Sequence, residues 1–95
     1  MKVSYDPGKN ARNIAERGLS FERAADLDWE RASITEDDRK VYPERRFVAL
    51  GDLDGRLHVL CFTPIEDGIR VISFRKANKR EMRRYEEATQ TSHRS

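Results

Sequence analysis

Along this chain the spacing of apolar positions alternates between the two-residue period of a strand and the three-to-four-residue period of a helix. Lys2 to Tyr5 has the look of a short first strand. Asp6-Pro7 then supplies an N-cap and a proline in the first helical turn, where its missing N–H costs nothing. A helix is predicted from there to about Arg17, stopped by Gly18 in the left-handed conformation, with Ala11, Ile14 and Ala15 as its apolar face. Ser20 can cap a second short helix that turns Phe21, Ala24 and Ala25 inward and ends near Asp28.

From Trp29 to Thr35 the pattern reads as a loose strand, and the acidic Glu36-Asp37-Asp38 as a loop. Three strands are predicted next: Arg45 to Leu53, Arg56 to Thr63, and Ile69 to Arg75. Asp54-Gly55, a strong two-residue hairpin signal, joins the first two, and Glu66-Asp67-Gly68 turns the chain again, so the three form an antiparallel meander. Asn78 and Glu81 stand at capping-box spacing before a last helix that passes through Met82 and Tyr85 to about Ala88. Residues 89–95 read as a polar tail. The order β-α-α-β-β-β-β-α places the chain in the α+β class: a mostly antiparallel sheet with two N-terminal helices and one C-terminal helix. No repeat or linker divides it, so residues 1–95 are expected to form a single domain.

Composition adds compartment and charge. The single cysteine, Cys61, lies in an apolar run beside Leu57 and Val59 on one strand face, the setting of a small core hydrophobe rather than a nucleophile. It cannot form an internal disulfide, no stretch approaches the roughly 18–20 apolar residues of a membrane span, and the first residues lack a signal-peptide core. A cytoplasmic protein without membrane contact is expected. The net charge of +2 conceals an asymmetry: residues 1–44 carry eight Lys/Arg against ten Asp/Glu, and residues 45–95 carry eleven against seven. Between Arg70 and Arg84 seven basic residues face only Glu81, a field suited to phosphate.

The two histidines, His58 and His93, are not at metal-ligand spacing, and there is no phosphate loop or Ser-His triad, so neither metal nor nucleotide cofactor is called for. What remains is the basic line Arg70, Arg75, Lys76, Lys79, Arg80, Arg83 and Arg84. Strict alternation puts Arg70 on one strand face with Ile72 and Phe74, and Arg75 on the other with Ile69, Val71 and Ser73. On the helix, Lys79 and Arg83, and Arg80 and Arg84, are like-charged i, i+4 pairs that a polyanion would relieve. Guanidinium forks suit phosphodiesters, and they become catalytic where they hold the charge growing on a phosphorane while a base removes the proton of the RNA 2′-OH. Such a route needs no metal and would leave DNA intact. The residues alone leave the base open among His58, Glu44 and a lysine such as Lys76 or Lys79. His58 shares a face with Leu60 and Phe62, as a structural histidine does, and Glu44 stands beside Arg45 and Arg46 as a salt-bridged surface carboxylate does. Trp29, and Met82 with Tyr85, read as packing residues.

Several segments carry a resemblance: Tyr5-Asp6-Pro7 with Lys9 and Asn13; Arg17-Gly18-Leu19-Ser20-Phe21-Glu22 on through Arg23 to Ala24 and Ala25; Glu44-Arg45-Arg46 before a strand with Gly51 near its end; and Ile69-Arg70-Val71-Ile72-Ser73, then Arg75-Lys76-Ala77 with Glu81 and Tyr85. In this order and spacing, over residues 3–86, they resemble the BrnT toxin family. The resemblance implies a small RelE-like ribonuclease fold and RNA cleavage that inhibits translation. It also implies neutralisation by a cognate BrnA-like antitoxin with a ribbon-helix-helix domain, through which alone DNA would be met. The resemblance implies functional basic residues at Arg70, Arg75 and Lys76, and further at Lys79 and Arg80. With the reading of the residues themselves, the expected catalytic set is Arg70, Arg75, Lys76 and His58, and the expected RNA-binding set is Arg45, Arg46, Lys79, Arg80, Arg83 and Arg84. One departure is Phe74, where the family commonly has a small residue between Ser73 and Arg75. The alternative, from another class, is a non-catalytic basic module that engages an antitoxin or nucleic acid and acts as a co-repressor.

Overall fold

A computed structural model describes residues 1–93. Its elements are β1 (Lys2–Ser4), α1 (Pro7–Arg17), a 3₁₀ helix (Phe21–Asp26), β2 (Ser33–Glu36), β3 (Phe47–Leu53), β4 (Arg56–Ile65), β5 (Gly68–Lys76) and α2 (Lys79–His93). The five strands form one sheet in the order β1-β5-β4-β3-β2. The β2-to-β5 pairs are antiparallel, and β1 joins the far edge parallel to β5, with Ser4 opposite Arg70. The predicted meander and α+β class are therefore present, with a mixed sheet. The polar tail is corrected: residues 89–93 continue α2, and 94–95 lie outside the described residues.

Local signals act where they were expected. Asp6 caps α1 by accepting from the Gly8 N–H at 3.0 Å, and Gly18, at φ 64°, ends it. The Asp54-Gly55 hairpin turns with both residues at positive φ, 53° and 82°, as a type I′ turn requires. Asn78 and Glu81 exchange capping-box hydrogen bonds of 2.8 and 2.9 Å.

The core lies on one face of the sheet, where Leu19, Phe21, Ala24 and Leu27 from the connections cover Ala49, Leu60, Phe62, Val71 and Phe74. Trp29 stands before β2 instead of within it, rests edge-on to Phe62 and donates to the Ala24 carbonyl at 3.1 Å. Three predicted orientations differ. The face of Ala11, Ile14 and Ala15 on α1 is exposed, because the helix docks by hydrogen bonds: Asn10 accepts from the Phe21 N–H at 2.8 Å, and Asn13 donates to the Leu19 and Phe74 carbonyls at 2.9 and 3.0 Å. Ala25 is also exposed, since the second helix is a short 3₁₀ turn with a narrower buried edge than an α-helix. Third, a bulge at Ile72 interrupts the β4–β5 ladder: Phe62 pairs with Val71, and Cys61 with Ser73. The extra residue reverses the alternation, so Ile69, Val71, Phe74 and Lys76 share the core face, and Arg70, Ser73 and Arg75 share the outer face. Phe74 is accordingly core, with 1% of its surface exposed.

Candidate active site

Arg70 and Arg46 meet on the outer face. Arg70 is opposite Thr63 on β4, and Arg46 precedes Phe47, which is opposite Phe62, so Arg46, Thr63 and Arg70 form a row across three neighbouring chain segments. The parallel pairing of Ser4 with Arg70 extends this row to the β1 edge, and the start of α1 brings in its cap Asp6 and, from its first turn, Lys9. Asp6, Lys9, Glu44, Arg46, Thr63 and Arg70 together line a cleft of about 280 Å³.

Its electrostatics are unusual for a charge-rich surface. Two arginines nearby are tied down, in the Arg45–Glu36 fork (3.1 and 2.9 Å) and the Arg39–Asp37 fork (2.9 and 3.0 Å). Lys9, Arg46 and Arg70 form no ion pair among the described residues, and neither does Glu44. Arg46 is placed instead by an aromatic: its guanidinium lies over the Tyr42 ring, 4.1 Å from the centroid. Tyr42 in turn donates to Asp37 at 3.2 Å, and the Asp37 N–H donates to the Arg46 carbonyl at 2.8 Å. Hydrogen bonds from Arg39 and Tyr42 hold the Asp37 carboxyl well below the usual carboxylate range. The loop between β2 and β3 is thus built around a buried Asp37 and delivers Glu44 and Arg46 to the cleft.

The other residues singled out in the sequence go elsewhere. Arg75, though on the same face as Arg70, is engaged at the far end of β5: its two terminal nitrogens donate to Glu81 at 2.8 Å each, and this fork holds the Glu81 carboxyl down to about 2. Arg75 therefore fastens α2 to the sheet. Arg84 borders a shallow trough of about 440 Å³ floored by Val48, Leu50, Val59 and Cys61, while Lys79, Arg80 and Arg83 stand exposed along α2. Burial pushes the Cys61 thiol upward, away from nucleophilic character. Arg45 is committed to Glu36 and to the Phe47 ring at 5.2 Å. His58 and Lys76 are opposite each other on β4 and β5, but on the core face, in a different cleft. The basic line is therefore divided among three places, and Lys9, which composition did not single out, joins Arg70. The Asp6-Pro7-x-Lys9 turn was the signal that could have found it. Among the described residues no group of three or more His, Cys, Asp or Glu side chains gathers as a metal site.

The model of a family described as the ribonuclease toxin, BrnT, of type II toxin-antitoxin systems matches residues 5–81. The chain belongs to the BrnT family. No curated protein matches it. Membership makes the chain a toxin of the ribonuclease type, with RNA as its target and an antitoxin as its partner. The BrnT match begins at Tyr5 and ends at Glu81, so it takes in every residue of the Lys9–Glu44–Arg46–Arg70 cleft. No helix of the described residues is long and apolar enough to cross a membrane.

Proposed function

We propose that this BrnT-family chain is a metal-independent endoribonuclease whose reaction centre is the Glu44–Arg46–Arg70–Lys9 cleft. The observation that carries the reading is the convergence, from three separate parts of the chain, of Glu44 and three cations, none of which forms an ion pair among the described residues, beside a second carboxylate, Asp6, that caps α1. A carboxylate can take the proton of a ribose 2′-OH, and that oxygen then attacks the adjacent phosphorus. The forks of Arg46 and Arg70 hold the two negative charges that build on the equatorial oxygens. Lys9 can donate to the departing 5′-oxygen, leaving a 2′,3′-cyclic phosphate and a 5′-hydroxyl. The metal-independent reading rests on the donor set: a divalent cation entering here would face three positive side chains, while Asp6, the other carboxylate, is engaged with the Gly8 N–H. In this reading Arg75 positions α2 and leaves the reacting group, and His58 is no longer the base.

The wider role follows the same line. The fold is taken as RelE-like, cleavage of message inhibits translation in the cytoplasm, and a BrnA-like ribbon-helix-helix antitoxin neutralises the toxin and supplies any contact with DNA. The deciding experiment is incubation of the purified protein with labelled RNA, free and ribosome-bound, in excess EDTA, with mapping of product ends. Cyclic-phosphate products that vanish in Glu44→Gln and Arg70→Ala protein are expected. Intact RNA under every condition would replace this reading by that of a non-catalytic basic module.

A further inference from the structure

A cleft of about 660 Å³ lies on the other face and at the other end of the sheet, between the end of α1 and the β3–β4 hairpin. Arg17, Arg56 and Lys76 supply charge there, Leu19 and Leu53 supply apolar wall, and His58 lies at its inner side. Its carboxylate, Asp54, is taken by Arg23 at 2.9 Å. Arg17 and Lys76 form no ion pair among the described residues, and Arg56 uses one nitrogen on the Ala77 carbonyl at 3.1 Å, keeping its others.

His58 is the one uncharged polar ring among the lining residues of this cleft. The residue is 4% exposed, and its Nδ1 lies 2.7 Å from the Arg56 carbonyl. A carbonyl only accepts, so Nδ1 carries the proton, and in the neutral ring Nε2 carries the lone pair. Nε2 has no hydrogen-bond partner among the described residues, and no buried side-chain nitrogen or oxygen of those residues is left unsatisfied, so Nε2 keeps access to solvent, and His58 lines the cleft. A ligand complementary to these groups brings anionic oxygens for the cations and an O–H for Nε2. A carboxylate-bearing peptide side chain brings the first without the second.

We propose that this cleft is a second nucleotide site, in which Arg17, Arg56 and Lys76 hold a phosphate and His58 Nε2 accepts from a hydroxyl of the ribose. It rests on the reading of RNA as the target, but not on where cleavage occurs. The site would bind a ribonucleotide unit away from the reacting phosphate and would favour RNA over DNA by the hydroxyl it reads.

The experiment is a titration of the full chain, followed by NMR at the His58 ring and by calorimetry, with adenosine 5′-monophosphate, its 2′,3′-dideoxy analogue and inorganic phosphate as probes. Adenosine monophosphate is expected to shift the His58 Nε2 resonance and to bind about fivefold tighter than the dideoxy analogue, the value of one hydrogen bond. Arg17→Ala and Lys76→Ala, both at exposed positions, are expected to weaken it about three- to tenfold with the thermal midpoint unchanged. A silent His58, or equal affinity for the ribo- and dideoxy-nucleotide, would overturn the proposal, as would an acidic peptide that displaces the nucleotide at equal concentration. Cleavage of RNA with a silent His58 would remove this site alone. A His58 response with RNA left intact would remove the proposed reaction centre alone.

Discussion

The guanidinium of Arg46 rests on the ring of Tyr42, 4.1 Å from its centroid, and no carboxylate of the described residues pairs with it. An arginine placed by an aromatic face keeps its N–H fork for a ligand, whereas one placed by a carboxylate has already used it. Arg45, one residue earlier and forked onto Glu36, is the internal contrast.

Substitution at Tyr42 should therefore act on catalysis through Arg46. Tyr42→Phe keeps the ring and loses only the hydrogen bond to Asp37, and RNA cleavage within about threefold of the parent is expected. Tyr42→Leu removes the ring, and a loss of roughly 2- to 30-fold in kcat/KM follows from a cation–π contact of about 0.5–2 kcal/mol. Equal activity of the leucine and phenylalanine variants would show that the ring does not place Arg46.

Arg70 and Arg75 look equivalent in the sequence and should separate cleanly. Arg70→Ala removes an unpaired surface fork, so stability stays within about 0.5 kcal/mol. Cleavage should fall about 100-fold or more, as when a transition-state donor is removed. Arg75→Ala strands the Glu81 carboxylate and unfastens α2, at a cost of about 1–3 kcal/mol, or several degrees in Tm for a domain of this size. Thermal unfolding and single-turnover cleavage of the two proteins decide it. A stable, inactive Arg75→Ala would return Arg75 to the reacting group.

That division shows what the sequence could carry. Caps, turns and the meander were legible because each rests on a few adjacent residues: Asp6-Pro7, Asp54-Gly55, and Asn78 with Glu81. The inward face of α1 was not legible, since Asn10 and Asn13 dock it by hydrogen bonds that leave no apolar period, while Ala11, Ile14 and Ala15 imitate one. The residue types of the site were visible in Glu44, Arg46 and Arg70. Their convergence was hidden, because it depends on β5 lying between β1 and β4, while the one extra residue in β5 hid that Arg70 and Arg75 share a face.

That extra residue, Ile72, offers a direct test. Without it the strand would read Val71, Ser73, Phe74, Arg75, Lys76 in plain alternation, and every side chain would keep its present face. Deletion of Ile72 should therefore leave a folded protein with Phe74 still buried. Ile72 also lines the reaction cleft, and bulges re-aim the side chains beside them, so cleavage should drop about tenfold or more as Arg70 is redirected. Circular dichroism and RNA cleavage of the deletion protein are the measurements. A chain that fails to fold would show that the bulge is needed for the ladder, and full activity would show that it does not aim Arg70.

Acid should loosen the attachment of α2 before it disturbs the core. The Arg75 fork and the Asn78 N–H lower the Glu81 carboxyl from its ordinary 4.5 to about 2. Because the folded value is depressed, the native state binds fewer protons than the unfolded chain between these values. The stabilisation is complete above about pH 5 and is lost as pH falls through the folded value, by roughly 2 kcal/mol in all. Asp37, whose carboxyl is depressed by Arg39 and Tyr42, contributes in the same direction in the loop that carries Arg46. Urea unfolding midpoints measured at pH 7, 5, 3.5 and 2.5 should fall progressively below pH 5 in the parent. Glu81→Gln should begin with a lower midpoint at pH 7, lie closer to the parent at pH 2.5, and show a flatter profile between. Parallel profiles for the two proteins would mean that the Arg75–Glu81 fork holds no net stability in solution.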